Sequence, residues 1–307
     1  MNESNAAQWF DGFKHPSVRD LAWAIASPPL VSGEFNQTSW WTHAECLQEF
    51  NACLPALQAL DKNPHTLLEH LNRIKSKRLG IYFEALLAFW LSSISPNFRL
   101  LAQNIQLFEH LGKGKKTLGE LDFIIQHRNS GKIIHLEVAV KFYLGTEPLE
   151  DTYHWFGTNT HDQLGRKLDH LKLYQTQLSK KHPELIDFKL DQRHCLLKGR
   201  LFYPASQSKK LPIPDGIAHN HLQGRWIYSS AYNKNQQLIR LEKHDWLAKL
   251  NHDDITRHLS HHTDANPNKA SCFAIVEKDA NSNFKEAGRV FILPDDFIFP
   301  QAHGLFL

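Results

Sequence analysis

Cysteine is scarce in this sequence, and long hydrophobic runs are missing. The four cysteines are spread over 307 residues without a CxxC pair, which argues against a zinc ribbon and against a disulfide framework. The longest apolar runs, such as residues 85–91, are far shorter than the roughly 18 residues that a membrane-spanning helix needs. The first residues also lack the basic and then apolar pattern of a secretory signal. We therefore predict a cytoplasmic protein with no membrane partner.

The sequence also lacks a surplus of charge of one sign. Its 35 lysines and arginines stand against 32 aspartates and glutamates, which leaves a net charge of +3. This surplus is too small to indicate nucleic-acid binding by itself, so any basic surface must be local. The hydrophobic content of 42% and the charged content of 22% are typical of a folded globular protein and exclude a disordered chain.

The pattern of prolines and hydrophobic residues divides the chain into three segments. Residues 1–76 contain short amphipathic stretches interrupted by prolines, and they are predicted to form a helical N-terminal extension. Residues 77–204 are predicted to form the core, and residues 205–307 a β-rich C-terminal region of unassigned role. The predicted core elements are a helix at 77–93, strands at 99–110, 119–127 and 132–144, a helix at 161–178 and a strand at 193–204. We predict an α/β (α+β) fold with a mixed sheet and an αβββαβ core.

Two acidic residues are predicted to converge in the central hairpin. Side chains alternate between the faces of a strand, so His135, Glu137 and Lys141 share one face of the third strand. The turn-forming sequence RNSG joins this strand to the preceding one and brings Asp122 beside Glu137. Paired carboxylates suit Mg²⁺, with Mn²⁺ as an alternative, and such a cation stabilises charge on phosphoryl oxygens and lowers the pKa of its water. The pattern therefore favours phosphodiester hydrolysis.

Acidic residues follow one another in a definite order along the predicted core. Glu84 lies in an apolar helix, GELDFIIQ contains Asp122, HLEVAVK contains Glu137, and the helix of Gln163 follows. This order resembles the PD-(D/E)XK nuclease superfamily. The segments VRDLAWAIASPPL, GELDF, EVAVKFYL and KGRLFYP are similar to a bacterial family of unknown function that is assigned to this superfamily. The likeness to the family extends over most of the chain, whereas the superfamily core covers about residues 77–204. The resemblance implies a metal-dependent nuclease with ligands at Glu84, Asp122 and Glu137, and with a catalytic lysine.

The catalytic lysine is the point at which this sequence departs from the superfamily pattern. That pattern places a lysine two residues after the acid, and Ala139 occupies the position. Lys141 lies two residues further along the same strand face, which displaces its backbone by about 7 Å at the usual rise per residue. We expect Lys141 to be the catalytic lysine, and Lys167 on the following helix is the competing candidate.

Further polar residues are candidates for contacts to the substrate or to the acids. This second group consists of Glu120, His135, Gln163 and Lys167. The basic residues expected to contact phosphates are Lys113, Lys115, Lys116, Arg166 and Lys167. Each residue also has a structural interpretation, since the acids could form ion pairs, Lys141 could extend along apolar surface, and the helix of Gln163 could simply face solvent.

Two other classes of function stay open at this point. The first is a catalytically inactive module that keeps the nuclease fold and binds nucleic acid, and the second is a protein-interaction module. DNA is the expected partner, and a homodimer is one assembly that the sequence allows. Asp254, His258 and His262 have a spacing that can hold Zn²⁺ on a helix, although solvated histidines explain that spacing more simply.

Overall fold

The helices and strands follow the predicted order along the chain. The computed structural model describes residues 12–35, 38–111, 114–207, 211–232, 236–259 and 268–300. The helices in these residues are α1 Pro16–Ala26, α2 His43–Lys62, α3 His65–Leu71, α4 Leu79–Phe89, α5 Leu164–His170, α6 Thr176–Lys181 and α7 His252–Leu259. The strands are β1 Gly33–Phe35, β2 Thr38–Trp40, β3 Phe98–Leu111, β4 Gly114–His127, β5 Ile133–Gly145, β6 Trp155–Phe156, β7 Gln192–Pro204, β8 Gln223–Tyr228, β9 Leu238–Leu241, β10 Ser271–Lys278 and β11 Phe284–Leu293.

Local sequence signals explain where the first long helices begin. Pro16 is at the start of α1, where its fixed φ suits the first turn and its missing N–H costs no hydrogen bond. A capping box begins α2, because the Glu45 N–H donates to Thr42 Oγ1 at 3.2 Å and the Thr42 N–H donates to Glu45 Oε2 at 2.7 Å. The helix α4 continues into a π-helical turn, Trp90–Ile94, and a second such turn, Leu171–Gln175, joins α5 to α6.

The strands of the described residues form one 11-stranded mixed sheet. Its central order is β3-β4-β5-β7-β8-β11-β10-β9. Pairing is antiparallel from β3 to β5, parallel from β5 through β7 and β8 to β11, and antiparallel again through β10 to β9. The short strand β2 pairs in parallel with the first part of β7, and β6 pairs with the end of β5.

Helices cover both faces of the central strands. On one face, α1, α2 and α4 pack against Leu136, Val138 and Val140 of β5 in the largest apolar cluster. On the other face, Leu164 and Leu168 of α5 pack in a second cluster that contains buried residues of β5 and β7. Because successive residues of β5 point to opposite faces, one strand contributes to both clusters, and the result is a three-layer arrangement.

The predicted fold class is confirmed, and both flanking segments join the sheet of the core. The N-terminal extension contains two strands in addition to its helices, because β2 pairs with β7 and so joins the main sheet. The β-rich C-terminal region does not form a separate sheet, because β8 pairs with β7 and extends the sheet of the core. Both flanking segments are therefore built onto the same strand.

Candidate active site

Asp122 and Glu137 lie at a fork between β4 and β5. From the turn, the two strands pair from Gln126 opposite Ile133 to Phe123 opposite Leu136, and the pairing ends at Phe123 and Leu136. Beyond this point β4 continues alongside β3, whereas β5 continues alongside β7, with Glu137 opposite Cys195. The fork therefore separates the backbones at the residues where the two carboxylates meet.

Each carboxylate forms a hydrogen bond with the backbone of the other strand. The Val138 N–H donates to Asp122 Oδ2 at 2.8 Å, and the Asp122 N–H faces Glu137 Oε1 at 3.5 Å. These contacts replace the backbone hydrogen bonds between β4 and β5, which end at the fork, and they hold the two side chains between the strands. The structure thus brings together the two acids that the hairpin register predicts.

Glu137 is fully buried, and only one of its two carboxylate oxygens has a hydrogen-bond partner. Its exposed fraction is 0%, and its Oε1 accepts a hydrogen bond from His135 Nε2 at 2.7 Å. Its Oε2 is also buried and has no hydrogen-bond partner. A buried carboxylate oxygen without a partner costs free energy, which is a cost that a bound cation would remove.

Three acids at this place have strongly raised pKa values. Burial, followed by repulsion from Glu137, raises the pKa of Asp122 to about 7. Burial is also the largest cause for Glu137, whose pKa is about 7, and for Glu84, whose pKa of about 7 includes repulsion from Asp122 and Glu120. Lys167 opposes the shift at all three acids. Negative charge is therefore in excess, a condition that favours binding of a divalent cation.

The two candidate lysines have different surroundings. Lys141 donates to Asp162 Oδ2 at 2.6 Å, and the Tyr143 hydroxyl donates to the other oxygen of Asp162 at 3.0 Å. Lys167 donates to Gln175 Oε1 at 2.9 Å, and burial lowers its pKa, as does the positive charge of Lys141. The charges of Glu137 and Asp122 counteract this lowering, which puts Lys167 within the electrostatic reach of the acid pair.

The remaining candidates of the second group occupy distinct positions. His135 is fully buried beside Glu137, and burial lowers its pKa to about 4, so the imidazole is neutral. Glu120 is half-buried on β4, opposite Gln106 of β3. Gln163 was also interpreted as part of a solvent-facing helix, but it is buried. It precedes α5, is 4% exposed and donates to the Tyr153 carbonyl. The Gln163 Oε1 is buried without a partner.

Glu84 is less buried than the apolar character of its helix suggests. It is half-buried on α4 and lines a cavity of about 280 Å³ together with Gln103, Asn104 and Phe123. The face of α4 that carries Phe83, Leu86 and Leu87 is buried, which leaves Glu84 at the margin of the apolar cluster.

The described basic candidates lie on β4 and α5. Lys115 and Lys116 are exposed on β4, and Lys115 Nζ lies 4.1 Å from the centre of the Phe108 ring. Arg166 belongs to α5 with Lys167. Lys113 lies outside the described residues, as does His262 of the zinc alternative, and Asp254 of that alternative forms a buried ion pair with Arg19.

The donor set fits a divalent cation held by two carboxylates. Among the described residues there is no group of three or more histidines, cysteines, aspartates or glutamates that could hold a metal ion together. Mg²⁺ is commonly held by one or two carboxylates plus phosphate oxygens of the substrate, and Asp122 and Glu137 meet that requirement. The unpaired buried Oε2 of Glu137 is the observation that supports the fit.

Sequence patterns did not identify three residues that are hydrogen-bonded to these candidates, two of them directly and one through another residue. Asp162 binds Lys141 across 21 residues of sequence, and Ser179 binds His135 across 44. Arg193 in turn binds Ser179. The acidic Asp162 next to Gln163 could have been noted as a partner for a strand lysine, but nothing in the sequence states which lysine faces it.

Comparisons with known proteins identify the family of the chain. Residues 19–293 match the model of a family described as a domain of unknown function, DUF1853. No curated protein and no solved structure matches the chain. Separately, the helices of the described residues are all too short or too polar to cross a bilayer.

Proposed function

The chain belongs to the DUF1853 family, and we propose that this member is a metal-dependent nuclease that hydrolyses phosphodiester bonds in DNA with Mg²⁺ or Mn²⁺. The observation that carries the proposal is the acid pair at the fork, where Glu137 keeps one buried oxygen without a partner. An arrangement of this kind lowers stability unless another group compensates for it. A cation and the phosphate of a substrate are groups that would do so.

The order of elements supports the PD-(D/E)XK likeness. The helix α4, the strands β3, β4 and β5, the helices α5 and α6 and the strand β7 follow one another in the order αβββαβ. Asp122 and Glu137 lie on the second and third of these strands, at the positions that the resemblance assigns to metal ligands. The four cysteines are free and buried, which agrees with the proposed cytoplasmic location.

Each residue of the site has a proposed task. Asp122 and Glu137 would bind the cation through their carboxylate oxygens, and Glu84 would assist from α4. The bound cation supplies positive charge for the phosphoryl oxygens and lowers the pKa of the attacking water. The acids bind a cation in their ionised form, so their pKa values of about 7 imply that cleavage increases between pH 6 and pH 8.

Lys167 is better placed than Lys141 to contribute the catalytic charge. Lys141 is engaged by Asp162, whereas Lys167 interacts electrostatically with Glu84, Asp122 and Glu137. We propose that Lys167 stabilises the phosphate of the substrate. In this arrangement Lys141 neutralises Asp162. The alternative is that Lys141 is the catalytic lysine, as the sequence predicts.

The nuclease proposal is tested with purified full-length protein and both supercoiled and linear DNA. Cleavage should require Mg²⁺ or Mn²⁺ and should fall by on the order of 100-fold or more in Asp122→Asn and in Glu137→Gln, since each removes a charge that the cation requires. Glu69→Gln, which changes an exposed acid of α3, is the matched control and should keep wild-type activity. Cleavage that persists in EDTA, or that is equal in all variants, would refute the proposal.

A comparison of Lys167→Ala with Lys141→Ala shows which lysine contributes the catalytic charge. We expect the first to lower the cleavage rate by on the order of 100-fold, since it removes the positive charge that we assign to stabilising the phosphate. The second should cost less activity and should also destabilise the protein, because Asp162 loses its positively charged partner. The reverse order of activities would return the catalytic assignment to Lys141.

A second candidate function is a binding module that has lost catalysis. The observation that favours it is Ala139, which stands where the superfamily pattern has a lysine. Such a module would retain DNA in a gel-shift assay with strong salt dependence and would leave the DNA intact under every metal condition.

A further inference from the structure

A chain of hydrogen bonds leads from Arg193 of β7 to the buried carboxylate of Glu137. Arg193 Nε donates to Ser179 Oγ at 3.1 Å, and Arg193 Nη2 donates to the Ser179 carbonyl at 3.3 Å. Ser179 Oγ lies 2.9 Å from His135 Nδ1, and His135 Nε2 lies 2.7 Å from Glu137 Oε1. The chain therefore connects β7, α6 and β5 and ends on a proposed metal ligand.

Chemistry fixes the direction of each bond in this chain. A guanidinium group has only donors, so Ser179 Oγ must accept from Arg193. The ionised carboxylate of Glu137 has only acceptors, so His135 Nε2 carries the hydrogen and donates it to Oε1. The neutral imidazole has a single N–H, so Nδ1 is an acceptor and receives the hydroxyl hydrogen of Ser179. One tautomer of His135 satisfies every partner.

Burial keeps the part of this chain from Ser179 to Glu137 free of competing water. His135 and Glu137 are 0% exposed, and Ser179 is 1% exposed. In such surroundings a fully connected network is rigid, because breaking any bond leaves a buried polar group unpaired. The Glu137 carboxylate is held through Oε1, and its Oε2 is the oxygen that has no partner.

We propose that His135, oriented by Ser179 and Arg193, is a positioning residue that holds Oε1 of Glu137 and thereby presents Oε2 to a divalent cation. This inference rests on the proposed function. Groups that orient metal ligands in this way typically change metal affinity by 10–100-fold when they are removed. A network that only stabilises the fold would change the melting temperature without changing metal affinity at temperatures where the protein is folded.

The first measurement concerns the metal-free protein and needs no activity. Long-range ¹H–¹⁵N NMR of histidine-labelled protein should find His135 protonated at Nε2. Ser179→Ala removes the hydroxyl that bonds Nδ1, and we expect it to weaken or mix this tautomer. Ser27→Ala removes a buried hydroxyl that lacks a hydrogen-bond partner and is the matched control. A proton at Nδ1 in the wild type would overturn the proposed directions of the hydrogen bonds.

The second measurement is the affinity for Mn²⁺, titrated at a temperature where each variant is folded. His135→Leu should weaken binding by 10–100-fold. His135→Gln should recover most of the affinity, because the glutamine amide can donate to Glu137 from a similar position. Ser179→Ala should lie between the two, and Ser27→Ala should match the wild type.

The outcomes separate this inference from the nuclease proposal. Wild-type protein that binds Mn²⁺ no better than His135→Leu, while it cleaves DNA, overturns the positioning role and leaves the nuclease proposal standing. Wild-type protein that binds no Mn²⁺ and cleaves no DNA overturns both. Loss of affinity in His135→Leu with recovery in His135→Gln supports the positioning role.

Discussion

Two clusters of buried charge in this protein are built in opposite ways. In the C-terminal region, Arg289 Nε donates to Glu286 Oε1 at 2.7 Å, and the other arginine nitrogens donate to the carbonyls of Trp246 and Ala248. The second oxygen of Glu286 accepts from the Leu250 N–H at 2.9 Å. Positive and negative charge are therefore balanced, and the polar atoms have partners.

The fork between β4 and β5 lacks this balance. Glu84, Asp122 and Glu137 share the influence of Lys167, and Glu137 keeps one buried oxygen unpaired. The comparison teaches that burial of charge alone does not indicate function. A balanced cluster is a structural element whose disruption leaves an uncompensated buried charge, whereas an excess of buried acid needs an additional positive group.

The largest effect is expected where the balanced cluster is broken. Arg289→Met should lower the free energy of unfolding by about 3–5 kcal/mol, because Glu286 would stay buried without its counter-charge. Urea denaturation measures the change. The double variant Arg289→Met/Glu286→Gln should recover part of the loss, and a loss below about 1 kcal/mol in the single variant would contradict the assignment of a structural ion pair.

Addition of a cation should stabilise the fork and leave the balanced cluster unaffected. At a Mg²⁺ or Mn²⁺ concentration of 100 times Kd, the wild type should gain about 2.7 kcal/mol, because the cation binds only the folded state. Thermal unfolding with and without metal at pH 7.5 measures this gain. The variant Asp122→Asn/Glu137→Gln should gain none, and an equal gain in both proteins would indicate metal binding elsewhere.

Replacing a glutamate by glutamine should change the free energy of unfolding in opposite directions in the two clusters. In metal-free protein at pH 8, Glu137→Gln should stabilise the fold by on the order of 1–3 kcal/mol, because it removes a buried charge whose pKa is raised to about 7. Glu286→Gln should destabilise the fold, since Arg289 loses its counter-charge. Chemical denaturation of both variants provides the test, and two changes of the same sign would remove the distinction between the clusters.

The stabilisation by Glu137→Gln should depend on pH. The folded-state pKa of about 7 lies above the ordinary value of 4.5, so the folded protein retains a proton that the unfolded chain has lost. Wild-type stability therefore falls as pH rises from about 4.5 to about 7, and the advantage of the variant grows over this range and is constant above it. At pH 4.5 the difference should be only a few tenths of a kcal/mol. Unfolding curves at half-unit pH steps measure it, and a pH-independent difference would show that Glu137 is not the titrating group.

Local patterns in the sequence predicted much of the framework. Strand alternation and the RNSG turn indicated the hairpin of β4 and β5 and the register that brings Asp122 beside Glu137. Period-specific patterns work for such elements because the partners are close in sequence and the turn fixes the register. The strands β1 and β2 were harder to predict, since short strands receive their stability from a distant partner, here β7.

Contacts between distant segments decided the rest of the site. The helix pattern placed Gln163 with Lys167 on one polar face, whereas in the fold Gln163 is buried against the Tyr153 backbone. The partnership of Lys141 with Asp162 likewise depends on how α5 approaches β5. Propensity and periodicity carry no information about such approaches.

The sequence by itself determined the element order, the hairpin and the identity of the two central acids, because alternation along a strand and turn chemistry act over a few residues. Only the tertiary structure decided that β4 and β5 separate at these acids, that one oxygen of Glu137 is left without a partner, and that His135 is tied to Arg193. These features arise from the packing of α6 and β7 against β5, and they depend on distances between segments that are far apart in the chain.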